Sequence, residues 1–196
     1  MIYDYGGFPE STYQVHYRAP GSPTVAHRVV TLAAKAGITV KTDSNRGFDH
    51  GTFVPLSVAY PGAQIPVVQL SMNKSYSPEA HYQLGKALAP LRNEGVLIIG
   101  SGSSFHNLRI FGPGARLPSQ AFDEWLTETM SLESAERKNR LLRWETAPSA
   151  RLAHPREDHL IPLMVITGAA EMELATRPYH ETEFFGGITM SSFRLG

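Results

Sequence analysis

Apolar and polar positions along the chain follow two patterns, one typical of helices and one typical of strands. The helical pattern covers residues 23–36, 52–60, 77–95, a long amphipathic stretch around 119–144, and 159–170. The strand pattern covers residues 38–43, 65–71 and 96–101, and two further runs at 180–185 and 188–195 flank a Gly-Gly pair. Because helices and strands alternate, the pattern predicts an α/β fold. Its mainly parallel central sheet would be flanked by helices and followed by a C-terminal antiparallel hairpin.

Residues 96–101, VLIIGS, have the most continuous apolar character of the predicted strands. Such a run predicts a strand that is buried on both faces, as in a parallel sheet. A short glycine- and serine-rich turn follows directly, and it leads to His106 and Asn107. Glycines in this turn let the chain bend sharply. The sequence therefore places an imidazole just beyond the carboxyl end of a predicted core strand.

Composition narrows the class of protein. The 196 residues fit one domain spanning 1–196, and 18 basic residues balance 18 acidic residues, which predicts neither a nucleic-acid partner nor binding to an anionic membrane. No apolar run approaches the roughly 20 residues of a membrane span, and the first ten residues do not resemble a signal peptide, so a cytoplasmic location is expected. The chain has no cysteine, which leaves histidines and carboxylates as the candidates for metal or acid/base chemistry.

Three histidines follow predicted loops. They are His50 in RGFDHGTF, His106 in SGSSFHNL and His159 in HPREDHLIPL. Ligands of open α/β sheets bind beyond the carboxyl ends of the strands, so these imidazoles are expected to line one rim. The alternatives are that each is an ordinary surface or capping residue, or that the Gly/Ser turn is an anion-binding nest of backbone N–H groups. The other histidines are expected on solvated helix faces (His27 and His81) or at surface and packing positions (His16, His154 and His180).

Several longer segments carry a resemblance to a known family. They are MIYDYGGFPESTYQVHYRAPGSP, RGFDHGTFVPL, YPGAQIPVVQLS, HYQLGKALAPLRNEGVLIIGSGSSFHNL, AFDEWL and HPREDHLIPLMVITGAA. In this order they resemble the class III extradiol ring-cleaving dioxygenases, specifically the 4,5-DOPA dioxygenase subgroup. The resemblance runs along the whole chain, and it does not single out one substrate.

The resemblance implies a non-heme metal enzyme that opens a catechol-type ring with O2, ordinarily with Fe(II) and in some members with Zn(II). It implies that His159 is a metal ligand, and that His106 is either a metal ligand or an acid/base residue. His50 corresponds to a histidine near the substrate that is suited to accept a catechol proton. Asp49 is a candidate to orient His50. Neutral imidazoles and carboxylates suit such an ion and leave positions for substrate.

The chain departs from the family pattern in one respect. Family members usually begin with two strands that end in HGSP and SAHW, each motif supplying a metal-binding histidine, and neither motif occurs here. The expectation is therefore a single catalytic-type domain that lacks these two strands, with an incomplete metal site. Exposed strand edges would favour association into a homo-oligomer.

Two other functions stay open at this point. The fold is also suited to a non-catalytic metal-binding or protein-interaction module. Alternatively, His50 and His106 form an acid/base pair in a metal-independent enzyme acting on a small aromatic acid.

Overall fold

Seven α-helices and one pair of strands make up the regular structure of the protein. The structure, a computed structural model, describes all residues from 1 to 196. The helices are α1 (Pro23–Lys35), α2 (His50–Ala59), α3 (Pro78–Leu88), α4 (Arg116–Ser131), α5 (Ser134–Leu142), α6 (Ala150–Ala153) and α7 (Ile161–Ala169). The strands are β1 (Ala175–Phe184) and β2 (Ile188–Leu195), and short 3-10 helices cover Glu10–Gln14, Ala89–Glu94, Pro113–Ala115 and Trp144–Thr146.

Helices α1 and α3 begin where the sequence signals place them, whereas α2 begins at His50 instead of residue 52 and α7 at Ile161 instead of residue 159. Ser22 accepts a hydrogen bond from the backbone N–H of Val25 at the start of α1, and Ser77 caps α3 in the same way. The predicted helix 77–95 changes from α to 3-10 geometry after Leu88, because Pro90 has no N–H to continue the ladder. Gly95 then ends it in the left-handed conformation, at φ 75°.

The long amphipathic stretch around 119–144 is two helices instead of one. α4 ends at Ser131, Leu132 is extended, and α5 begins at Ser134. The C-terminal hairpin is confirmed: β1 and β2 are antiparallel and joined through Gly186 and Gly187, both at positive φ. β1 begins at Ala175, five residues before the predicted start.

The mainly parallel central sheet is not present in this structure. Residues 38–43, 65–71 and 96–101 belong to no strand, and the only sheet is the two-stranded hairpin. In the 96–101 segment, Leu97 and Ile99 are 71% and 55% exposed, whereas Val96 and Ile98 are partly buried. The expected burial on both faces is therefore wrong for this segment. Although the run is continuously apolar, only alternate side chains are partly buried, and a strand forms only where a neighbouring strand completes the hydrogen-bond ladder.

The chain divides into two compact units, residues 1–71 and residues 72–196. In the first unit, Phe53 of α2 is fully buried, and the rings of Tyr3 and Tyr5 pack edge-on or tilted against it. In the second unit, α4 to α7 and the hairpin surround one apolar core that includes Phe105, Phe122, Leu126, Met130, Leu141, Trp144, Leu160, Ile161, Met164 and Ile188. The expectation of a single domain over 1–196 stays a prediction.

Helices α3 and α7 pack closely in the second unit because each contributes a glycine to the contact. A Cβ atom on Gly85 would overlap the carbonyl oxygen of Val165, and one on Gly168 would overlap that of Tyr82. His81 of α3 was expected on a solvated helix face, but it is buried. Its Nε2 accepts a hydrogen bond from the backbone N–H of Asn73, and its Nδ1 is hydrogen-bonded to the backbone oxygen of Ser77. No helix has the length and apolar character needed to cross a membrane.

Candidate functional site

Two histidines and one aspartate form a cluster in the second unit. One ligand atom from each of His106, Asp158 and His159 lies within 4.8 Å of the others, and all three residues are partly buried. Two imidazoles and one carboxylate are a donor set that suits a non-heme iron and leaves coordination positions for substrate and O2. The sequence predicted that His106 and His159 would lie together, and the structure confirms their proximity. Asp158 was missed, although it directly precedes His159 in PREDH.

The backbone holds the His106 loop against the segment that carries His159. The loop comprises residues 103–107, and the opposing segment comprises residues 152–159. Four hydrogen bonds join them: Ser103 N to His159 O at 2.9 Å, His106 N to Ala153 O at 2.9 Å, Asn107 Nδ2 to Leu152 O at 2.9 Å, and His154 Nε2 to Ser104 O at 3.1 Å. The relative position of the two candidate ligands is thus fixed by two main-chain hydrogen bonds and by the side chains of Asn107 and His154.

The Gly/Ser turn before His106 has a steric role. A Cβ atom on Gly102 would overlap the carbonyl oxygen of His159, and one on Gly100 would lie 2.7 Å from that of Pro162. Only a residue without a side chain lets the turn approach the start of α7 this closely. The glycines therefore allow His106 to lie next to His159. The sequence suggested glycine for its flexibility, whereas the structure shows that these positions have no room for a side chain.

The imidazoles of His106 and His159 are stacked. Their centroids are 3.4 Å apart and their planes differ by 13°. The lone pair of an imidazole nitrogen lies in the ring plane, so two parallel rings cannot both direct a lone pair at one ion. Ligand atoms about 2.1 Å from a common metal are at most about 4.2 Å apart. The residues fit a metal in type and proximity, and binding requires one ring to rotate out of the stack.

His159 carries an unsatisfied nitrogen. Its Nδ1 is buried without a hydrogen-bond partner, and the nearest acidic atom is Asp158 Oδ1 at the 3.2 Å separation of an ion-pair contact. A buried polar atom left unpaired costs about 1–3 kcal/mol. Such a nitrogen next to a carboxylate is the feature expected of a group that pairs with a ligand or an ion.

His154 lies behind the cluster and is fully buried. Its ring packs edge-on against Phe122 and Trp144, at centroid distances of 5.1 and 6.0 Å. Burial lowers the pKa of His154 to about 4, outweighing the opposing hydrogen bond to Ser104 O, so the ring is neutral at pH 7. Of the two positions expected for His154, surface or packing, the structure shows the packing position, because the ring is part of the core. The ring is also hydrogen-bonded to the loop that carries His106.

His50 lies in the first unit, at the first position of α2. Its Nδ1 is 2.7 Å from Asp4 Oδ1, and its backbone N–H donates to the same oxygen. Partial burial acts to raise the pKa of Asp4, but the hydrogen bonds from His50 outweigh it and lower the pKa below its usual value. Asp4 therefore remains a carboxylate and fixes the orientation of the imidazole.

Asp49 does not orient His50, contrary to the expectation from the sequence. Its carboxylate bonds Arg46 at 2.9 Å and the side-chain amide of Gln69. Asp4 is 46 residues from His50 in sequence, so no local spacing identifies the pair. The side chain of His50 is 41% exposed.

Comparison with protein families extends these observations. A family model described as the catalytic LigB subunit of aromatic ring-opening dioxygenase matches residues 1–191. A 4,5-DOPA dioxygenase extradiol of Beta vulgaris is 44% identical over 99% of this chain and 73% of that protein, and one of Escherichia coli K12 is 35% identical over 100% and 73%. A protein of Hapsidospora irregularis named dioxygenase tasH is 37% identical over the whole chain and 64% of its own length.

A solved structure shares the fold. The crystal structure of an uncharacterized protein from Escherichia coli K12 superimposes with a TM-score of 0.81 at 32% identity, over 94% of this chain and 77% of that one. The similarity in sequence and the similarity in structure both extend over nearly all of the 196 residues.

Proposed function

Because the chain belongs to the family of catalytic LigB subunits of aromatic ring-opening dioxygenases, we propose that it opens a catechol-type ring at a non-heme metal site. The observation that carries the proposal is the cluster of His106, Asp158 and His159, which lies within the part of the chain that the family matches. Relatives named 4,5-DOPA dioxygenase extradiol support a catechol with an amino-acid side chain as the first substrate to test. The enzyme class is that of an extradiol dioxygenase.

His106, Asp158 and His159 are the residues that would hold the metal, with Fe(II) as the proposed ion and Zn(II) as the alternative. A non-heme metal held there would supply Lewis-acid and redox chemistry toward the catechol oxygens and O2. The protein residues supply the remaining functions. The hydrogen bonds between the 103–107 loop and the 152–159 segment keep the donors in place, and the partly buried cluster limits access of water.

His50 is proposed as the proton acceptor for a catechol hydroxyl. The Asp4 carboxylate accepts the hydrogen bond from Nδ1–H, which selects the tautomer whose Nε2 has a free lone pair. When Nε2 takes the substrate proton, the negative charge of Asp4 stabilises the imidazolium that forms. His106 is a second candidate for acid/base work, as the sequence also allows.

The role of Asp4 gives a test. In Asp4→Asn, the amide oxygen still accepts both hydrogen bonds from His50, but the charge that stabilises the imidazolium is lost. We expect kcat to fall about 10- to 100-fold with KM changed little, measured by initial rates of ring cleavage. The matched control is Asp49→Asn, which removes a neighbouring carboxylate that does not contact the His50 ring. Equal losses in the two variants would contradict the assignment of Asp4.

The proposed function is tested with the unaltered chain. After loading with Fe(II) under exclusion of air, the protein is mixed with L-DOPA, caffeate or catechol in aerated buffer. We expect one O2 consumed per ring opened and a coloured product absorbing in the visible range, with activity removed by a chelator and restored by iron. Ring opening that survives complete metal removal, or inactivity with every catechol, would contradict the proposal.

We also propose that residues 96–101 form a strand of a mainly parallel sheet when a neighbouring strand is supplied. Support comes from their alternating exposure and from the two exposed apolar side chains, Leu97 and Ile99. Apolar strand edges without partners promote association.

This sheet proposal predicts the oligomeric state of the 196-residue chain. We expect it to self-associate at micromolar concentration, as measured by gel filtration with light scattering. The double variant Leu97→Lys/Ile99→Lys should shift the population toward monomer. The double variant Leu117→Lys/Met172→Lys is the control, because it changes exposed apolar residues outside the segment. A monodisperse monomer in the unaltered chain would contradict the proposal.

A further inference from the structure

We propose that His154 is a positioning residue that holds the His106 loop in the geometry required for ring cleavage. The inference rests on the proposed function of the cluster formed by His106, Asp158 and His159. His154 acts through the backbone of Ser104, to which its ring is hydrogen-bonded.

The first observation is the position of the hydrogen bond. His154 Nε2 donates to the carbonyl oxygen of Ser104 over 3.1 Å, two residues before His106. On the other side of the same contact, the backbone N–H of His106 donates to Ala153, the residue next to His154. Residues 153 and 154 therefore hold the main chain on both sides of Phe105, and Phe105 is itself fully buried. The peptide that carries the His106 side chain has little freedom left.

The second observation is that a histidine is a costly residue for this place. The ring is completely buried against Phe122 and Trp144, and its Nδ1 has no hydrogen-bond partner. An unpaired buried nitrogen costs about 1–3 kcal/mol, and an apolar ring would avoid that cost. Packing alone therefore favours phenylalanine here. What phenylalanine cannot supply is the donor to Ser104 O.

The third observation is the nature of the donor. Nδ1 has no partner and Nε2 faces a carbonyl oxygen, so the neutral ring carries its proton on Nε2. A rigid planar ring held between two aromatic side chains directs this N–H along one line. The bond fixes the orientation of the Ser104 peptide, and Ser104 Oγ in turn accepts from the backbone N–H of Ser191 in β2. His154 thus connects the loop to the core of the second unit.

Two substitutions separate positioning from packing. His154→Phe keeps an aromatic ring in the cavity and removes the donor, whereas His154→Gln supplies an amide N–H at nearly the position of Nε2 but packs less well. If His154 positions the loop, kcat falls about 10- to 100-fold in the Phe variant and recovers at least in part in the Gln variant, with KM changed little in both. Thermal stability should follow the opposite order, with the Phe variant the more stable.

A second measurement does not depend on activity. Hydrogen exchange of the metal-free chain, followed by mass spectrometry, reports the protection of peptides spanning residues 103–107. We expect faster exchange in His154→Phe and restored protection in His154→Gln, with His27→Gln as the control because that side chain lies exposed on α1. Inactivity of the unaltered chain would refute the proposed function, while the exchange result would still decide the role of His154.

The inference is overturned by either of two results. One is a Phe variant that keeps both its kcat and the protection of the 103–107 loop. The other is a pair of variants in which activity follows thermal stability, so that His154→Gln is the less active. Both results would leave His154 as a packing residue.

Discussion

Replacement of His159 by alanine should abolish both metal uptake and ring cleavage. His159 contributes a buried nitrogen without a hydrogen-bond partner to the cluster with His106 and Asp158. Loss of a residue that only supports metal ligands typically costs 10- to 100-fold in affinity or activity, so loss of a ligand should leave less than about 1% of the rate. Metal per chain after loading and desalting, together with oxygen uptake in the presence of a catechol, measures the two effects.

The same experiment with His106→Ala distinguishes the two roles that the sequence leaves open for this residue. If His106 is a ligand, metal content and rate fall together, as in His159→Ala. If His106 is an acid/base group, the metal stays and only the rate falls. In either role one of the two rings, whose centroids are 3.4 Å apart, must leave the stack before both can act.

His27→Ala is the control for both substitutions, because this histidine is exposed on α1 in the first unit. His81 is unsuitable, since its buried ring bonds the backbone on both sides and its loss would disturb α3. Rates and metal content that are unchanged in both His159→Ala and His106→Ala would remove the metal assignment from the cluster.

Local signals in the sequence located most helices and the hairpin, but they did not show the break at Leu132 or the start of β1 at Ala175. Ser22 and Ser77 cap helices through contacts within three residues, and Gly95 ends one through its own backbone conformation. The segment 96–101 is different, because a strand depends on a partner that may be far along the chain or on another chain. Its apolar pattern is real, but no neighbouring strand is hydrogen-bonded to it, so the central sheet inferred from periodicity does not form here.

The candidate site was likewise only partly predictable from the sequence. The proximity of His106 and His159 was predictable, because each follows a motif that the resemblance places at the site. Asp4 was not predictable, since its bond to His50 spans 46 residues. For His154 the sequence left surface and packing positions open, because it does not show that the first histidine of HPREDH is enclosed by Phe122 and Trp144. Only the folded chain reveals burial, and burial determines the chemistry of that ring.

The burial of His154 also predicts how stability depends on pH. Its pKa is lowered from 6.5 to about 4 in the folded chain, mainly by desolvation, with His106 and His159 acting in the same direction and Asp158 opposing them. Between these values the unfolded chain binds a proton that the folded chain does not bind. The free energy of unfolding therefore falls as the pH falls from about 6.5, and the loss approaches about 3 kcal/mol near pH 4.

Protonation of carboxylates changes the free energy of unfolding at lower pH. The pKa of Asp4, Glu157, Glu171, Glu173 and Glu183 is lowered from values of 3.8 or 4.5, so their stabilising contributions are lost only as the pH falls below about 4.5. Between pH 6.5 and pH 4.5, the change in stability caused by His154 is therefore largely separate from the changes caused by these carboxylates. Comparison of the unaltered chain with His154→Phe cancels the contribution of the other histidines.

We therefore expect the stability of His154→Phe relative to the unaltered chain to rise by about 2–3 kcal/mol between pH 7 and pH 4.5. The measurement is urea unfolding of the metal-free chain in the presence of a chelator, followed by tryptophan fluorescence. Both tryptophans, Trp125 and Trp144, lie in the second unit, and Trp144 packs against the His154 ring. A difference between the two chains that does not change with pH would mean that the folded protein accommodates a charged His154, and the neutral donor to Ser104 would lose its physical basis.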